Sequence, residues 1–112
     1  MNARQTAVAL VADLLAAGDH AGVERLTSGR RLSAADLERA VRDYGEKLVR
    51  IPSEALDELE VIEVTGSDPA ASMIDVNLWT EQEGRSDLTL SLELVDRYAG
   101  AYEISVLDLH VQ

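Results

Sequence analysis

The spacing of apolar positions changes partway along the chain, and that change divides it into two halves. Over residues 3–17, Ala7, Val8, Leu10, Val11, Leu14 and Leu15 recur at helical spacing, and Gly18 supplies a stop. Asp19 starts a short second helix with Val23 and Leu26 inward, ended by Ser28 and Gly29. Ser33 followed by Asp36 three residues on is an N-cap signature. Behind it Leu37, Ala40, Val41, Tyr44 and Leu48 share one helical face, and Gly45 and Pro52 bound the end. Residues 53–57 fit a turn or a single helical turn equally well. The helical part covers about residues 3–48.

From Leu59 the period is two. A first strand is expected over residues 59–64, ended by Gly66-Ser67-Asp68-Pro69. A second covers 73–80, with Ile74, Val76 and Leu78 alternating against Asp75, Asn77 and Trp79. Residues 81–86 form a hairpin loop around Gly84. In the third strand Leu88, Leu90, Leu92 and Leu94 face inward and Thr89, Ser91 and Glu93 outward. Residues 96–100 turn the chain, and a fourth strand covers 101–111.

Consecutive strands on short loops predict an antiparallel meander with one dry face, and the amphipathic helices are its cover. The predicted fold class is α+β, with N-terminal helices packed on one face of a curved four-stranded antiparallel sheet. All 112 residues are expected to form one domain, the size usual for a single core.

Composition sharpens this picture in two places. With one Trp, three Tyr and no Phe, the core must be aliphatic. The absence of cysteine removes disulfides, thiol catalysis and thiolate metal sites. Residues 7–17 superficially look like the core of a signal peptide, but Asp13 interrupts them at helical spacing. No apolar run reaches the ~18 residues that span a bilayer, and a cytoplasmic location is expected.

The net charge of −11 is unevenly spread. Residues 1–50 carry eight basic and seven acidic side chains; residues 51–112 carry only Arg85 and Arg97 against fourteen acids. That distribution argues against nucleic acid and anionic membrane partners, which need a basic footprint. It is compatible with a basic protein partner, or simply with a solvated sheet face.

The order of elements resembles the cone-shaped α+β fold of the nuclear-transport-factor-2-like superfamily, whose helices lie against a curved meander. The run LWTEQEGRSDLTL at residues 78–90, with the terminal LDLHV, is similar to a family of uncharacterised bacterial domains. The superfamily includes isomerases, cyclases, dehydratases and pure binding or dimerisation modules, so the resemblance does not select an activity. It does imply where to look for an acid–base Asp with a Tyr or His donor, namely inside the cone. Tyr44, Tyr102, Asp108 and His110 are the residues of those types within reach, with Asp108 and His110 as candidate catalytic groups and Tyr44 and Tyr102 as candidate ligand contacts.

The fourth strand leaves two registers open. Tyr102, Ile104 and Val106 share a face at period two, yet the next apolar residues, Leu107, Leu109 and Val111, fall on the other. A β-bulge after Val106 would return those three to the core and turn Asp108 and His110 outward. A regular strand would instead send Asp108 and His110 toward the helices as an orienter–base pair. Tyr44 fits core packing with its hydroxyl at the rim.

Trp79 shares the face of Asp75 and Asn77, away from the core, as an interface anchor would; the alternative is that it folds over a neighbouring strand or loop. The loop at 81–87 is acid-rich but lacks the ligand spacing of an EF-hand, and Arg85 is expected to pair with Asp87 or Glu83 or to fix the turn. GxGxxG, P-loop, HExxH, GxSxG and SxxK motifs are all missing. No metal or cofactor is expected. The reading that follows is a non-enzymatic interaction module forming a homodimer through its sheet. A small-molecule enzyme of the isomerase or cyclase type and an acidic inhibitor of a basic protein are the alternatives.

Overall fold

The first three helices begin where a side chain answers free backbone amides. In the computed structural model, which describes residues 1–98 and 101–111, α1 spans Ala3–Ala16, α2 His20–Thr27 and α3 Ala34–Tyr44. Asn2 and Gln5 form a reciprocal capping box on α1, and Ser33 and Asp36 form one on α3; Asp19 accepts from the Gly22 N–H at the start of α2. The buried stripe of α1 is Ala7, Val8, Val11, Ala12 and Leu15. Leu10, expected inside, is 43% exposed.

The helical part is shorter than the apolar spacing suggested. α3 ends at Tyr44 because Gly45 takes a left-handed φ of 79°. Leu48 therefore leaves the helical face and starts a two-residue strand, β1 (Leu48–Val49), before the single-turn helix α4 (Ser53–Leu56). The remaining strands are β2 (Glu60–Glu63), β3 (Ala71–Thr80), β4 (Gly84–Tyr98) and β5 (Ala101–Val111). The last four answer the four expected strands, and β1 is additional. The hairpin between β3 and β4 is tighter than expected, with Thr80 opposite Gly84. β4 runs on through Tyr98 where a turn was expected; residues 99 and 100 of that turn lie outside the described residues.

The sheet is antiparallel and curled, in the order β1–β3–β4–β5, with β2 sharing the β1 edge of β3. Its dry face carries the even-numbered residues Ile74, Val76, Leu78, Leu88, Leu90, Leu92 and Leu94, joined by Ile104, Val106 and Leu109. These pack with Val8, Val11, Leu15, Val23 and Leu37 from the helices into one aliphatic core. The four leucines of β4 are at most 1% exposed, so the space between helices and sheet is filled by side chains.

β5 carries the bulge. Leu92 faces Val106 and Ser91 faces Asp108, so Leu107 is the inserted residue. Asp108 and His110 turn to the outer face. Of the three apolar residues that follow, only Leu109 enters the core. Leu107 sits half-buried among outer-face residues, because the insertion leaves 107 and 108 on the same side, and Val111 is exposed at the strand end. Among the described residues, no helix is long and apolar enough to cross a membrane.

Candidate interaction surface

The outer face of the sheet is best read as rows, because antiparallel register fixes which side chains stand abreast. Asn77, Thr89 and His110 form one row; Glu60, Asp75, Ser91 and Asp108 form the next. Then come Ile62, Met73, Glu93 and Ser105, followed by Ala71, Val95 and Glu103, with Val64 joined to Ala71 by a 2.9 Å backbone bond. Ile62 is 57% exposed, and Met73 and Val64 are each 38% exposed. Half-buried Val95 and Leu107 extend this apolar band toward β5.

Arginines border the band beside β5. Arg30 comes from the loop after α2, round the edge strand. It donates to the Ile104 carbonyl at 2.8 Å and to Ser105 Oγ at 3.1 Å, which closes part of the open edge of β5. Arg97 donates to Glu103 at 3.0 Å. That hydrogen bond, with the charges of Arg97 and Arg30, holds the Glu103 carboxyl below its ordinary pKa. Arg31 stands in a tight turn with φ 73°, closed by the Leu32 N–H on the Arg30 carbonyl at 2.9 Å. Such positive-φ turns are strained for a residue with a side chain. Arg30, Arg31, Arg97, Met73, Val95 and Leu107 thereby surround a groove of about 500 Å³.

Trp79 lies at the far end of the same face, half-buried. Its ring is 3.6 Å from where a Cβ on Gly84 would stand, so it folds over the hairpin. Asn77 accepts from Arg85 at 3.1 Å and donates to the Ser86 carbonyl at 2.9 Å, so the expected partner of Arg85 is replaced by an amide on the neighbouring strand. A cavity of about 160 Å³ opens beside Trp79, Asn77, Asp75 and Arg85, where neither β1 nor β2 pairs with residues 76–78 of β3.

The four residues expected inside the cone are dispersed. Asp108 and His110 face outward, with Asp108 Oδ2 3.0 Å from His110 Nδ1 but without hydrogen-bond alignment. Asp108 Oδ1 accepts from the Leu109 N–H. Tyr44 and His110 line one groove of about 360 Å³ between α3 and β5, together with Asp43 and Leu88. Tyr102 stands opposite Asp96, whereas His110 stands opposite Thr89. Seven residues of the partner strand, Thr89 to Asp96, separate them, roughly 23 Å.

The Tyr44 hydroxyl donates to Glu83 at 2.7 Å and accepts from the Asp87 N–H at 3.3 Å. Its pKa is raised, first by the bond to Glu83 and then by burial. Those contacts brace an irregularity of β4 in which Ser86, Asp87 and Leu88 stand against Leu78 alone. Ser86 Oγ completes it by donating to the Leu78 carbonyl at 2.7 Å. Among the described residues, no group of three His, Cys, Asp or Glu is placed to hold a metal ion.

Sequence reasoning did not find the arginine-bordered band. Its signal was apolar residues at both parities of Leu59–Glu60–Val61–Ile62–Glu63–Val64, but only the register brings Ile62 and Val64 beside Met73.

These features define an α+β domain that carries a contiguous exposed apolar group, Ile62, Val64 and Met73, on the outer face of an antiparallel sheet. The chain belongs to the family of the domain of unknown function DUF7668, which matches residues 12–112. None of the curated proteins and none of the solved structures matches it.

Proposed function

We propose that this protein is a non-enzymatic interaction module that forms a homodimer through the outer face of its sheet. The observation that carries the reading is the adjacency of exposed Ile62, Val64 and Met73 on neighbouring strands, continued by Val95 and Leu107. Contiguous apolar surface rimmed by charges is the usual mark of a contact surface, and two-fold dimers are the commonest assembly. Trp79, Asp75 and Asn77 lie on the same face and extend the contact toward the hairpin. The helix-then-meander order and the curled sheet also favour a nuclear-transport-factor-2-like relationship, in a branch used for binding.

The enzyme alternative has less support. The leucine-filled core and the outward turn of Asp108 and His110 leave the Tyr44–His110 groove without Tyr102 or Asp108. Sedimentation velocity across a wide concentration range tests the reading. A dimer whose formation is abolished by Ile62→Glu supports it, and a monomer at every concentration contradicts it.

A further inference from the structure

The outer face carries its charges asymmetrically. On one side of the apolar band lies the row Glu60, Asp75, Ser91 and Asp108. On the other side, past Val95 on the same strand, is Arg97. Glu60 and Asp75 stand directly opposite each other across β2 and β3, an arrangement of like charges that costs stability. Among the described residues, neither Glu60 nor Asp75 has an ion-pair or hydrogen-bonding side-chain partner. Ser91, at 9% exposure, stands between Asp75 and Asp108 in that row, so the two carboxylates flank a short, covered side chain. Arg97 is bound to Glu103, yet its side chain keeps 46% exposure.

We infer that the homodimer's two-fold axis runs across the strands, between the Met73 row and the Val95 row. Arg97 of each copy then lies over Ser91 of the other, between the Asp75 and Asp108 carboxylates. The inference rests on the homodimer reading and deepens it.

Two sheets meeting face to face through a two-fold axis have two simple choices. An axis along the strands lays every row on its own copy, so the acidic row meets the acidic row. An axis across the strands reverses the rows. Set between the Met73 and Val95 rows, it lays Ile62 against the other copy's Val64 and Met73 against its Ala71, with Glu93 over Val95. It also carries Arg97, three rows from Ser91 on β4, onto the partner's Ser91. A guanidinium between two carboxylates is a favourable, directional contact, and the symmetry makes it twice. Like charges juxtaposed at an interface are correspondingly unfavourable.

The test uses two variants of the full chain, Arg97→Glu and the double change Asp75→Lys with Asp108→Lys, each checked for native circular dichroism. Alone, each is expected to dimerise at least roughly tenfold more weakly than the wild type, because both of its contacts become repulsive. Mixed, they are expected to form a heterodimer near wild-type affinity. In it one contact is reversed in sign on both sides and the other is unchanged. A second measurement does not depend on charge: Ser91→Cys, in a chain otherwise free of cysteine, is expected not to form an intermolecular disulfide.

Failure of the mixture to dimerise, variants that dimerise like the wild type, or a Ser91→Cys disulfide would each overturn the axis while leaving the homodimer intact. A wild-type chain that stays monomeric would overturn both.

Discussion

The Tyr44 hydroxyl donates a 2.7 Å hydrogen bond to Glu83, fastening the end of α3 to the turn between β3 and β4. The same oxygen accepts from the Asp87 N–H, a backbone group that the β4 irregularity deprives of a strand partner. Removing the hydroxyl in Tyr44→Phe is expected to lower the urea midpoint with no change in slope. The effect should depend on pH. Because the folded-state pKa of Tyr44 is raised, its contribution is present below the ordinary phenol value near 10 and is lost as pH rises through the raised one. The gap between wild type and Tyr44→Phe should therefore close in strong alkali. A gap unchanged above that range would show that the phenol–carboxylate bond contributes nothing.

Acid should act through other groups. The Ser33 N–H, then the Ser33 hydroxyl and the charge of Arg39, hold the Asp36 carboxyl below its ordinary pKa. Glu103 is held down by Arg97 and Arg30. Depressed carboxyl values stabilise above the unfolded value near 4 and lose that effect as pH falls through the folded value. Asp36→Asn should abolish part of the acid-side decline. Ser33→Ala should cost about 1 kcal/mol at neutral pH, the usual worth of a helix cap. Equilibrium unfolding between acid and neutral pH checks both.

The bulge leads to an unusual expectation for deletions. Removing one residue from a strand normally flips everything beyond it to the other face. Deleting Leu107 should not, because Asp108 would follow Val106 as the next outward residue and Leu109 would stay in the core. Cooperative unfolding should survive at a cost of about 1–2 kcal/mol, within the common range for single changes. Thermal unfolding that loses its cooperativity would refute this register.

Leu92→Ala should be far more damaging. The side chain is fully buried at the centre of the sheet, and such truncations cost about 2–5 kcal/mol. Chemical denaturation provides the comparison with the Leu107 deletion.

How much of this was legible in the sequence depended on whether the signal was local. The leucines of β4 announced their face by simple alternation, and Ser33 with Asp36 announced a helix start. The bulge, too, was visible as the switch of apolar parity after Val106, although what became of Leu107 and Val111 was not. Leu48 misled because it continued the helical spacing of Leu37 and Tyr44, while Gly45 had already ended the helix. The arginine border was hidden for a different reason. Arg30 and Ser105 lie 75 residues apart and meet only because a loop rounds the edge of β5. Likewise, nothing near Tyr44 in sequence names Glu83.

Whether two chains join through the outer face of the sheet is decided by comparing three proteins. Sedimentation equilibrium would be run on the wild type, on Met73→Glu and on Leu10→Glu, the last an exposed apolar position on α1, away from the band. A contact through the outer face predicts a concentration-dependent dimer for the wild type and Leu10→Glu, and a monomer for Met73→Glu. A Met73→Glu chain that dimerises as tightly as the wild type would contradict it.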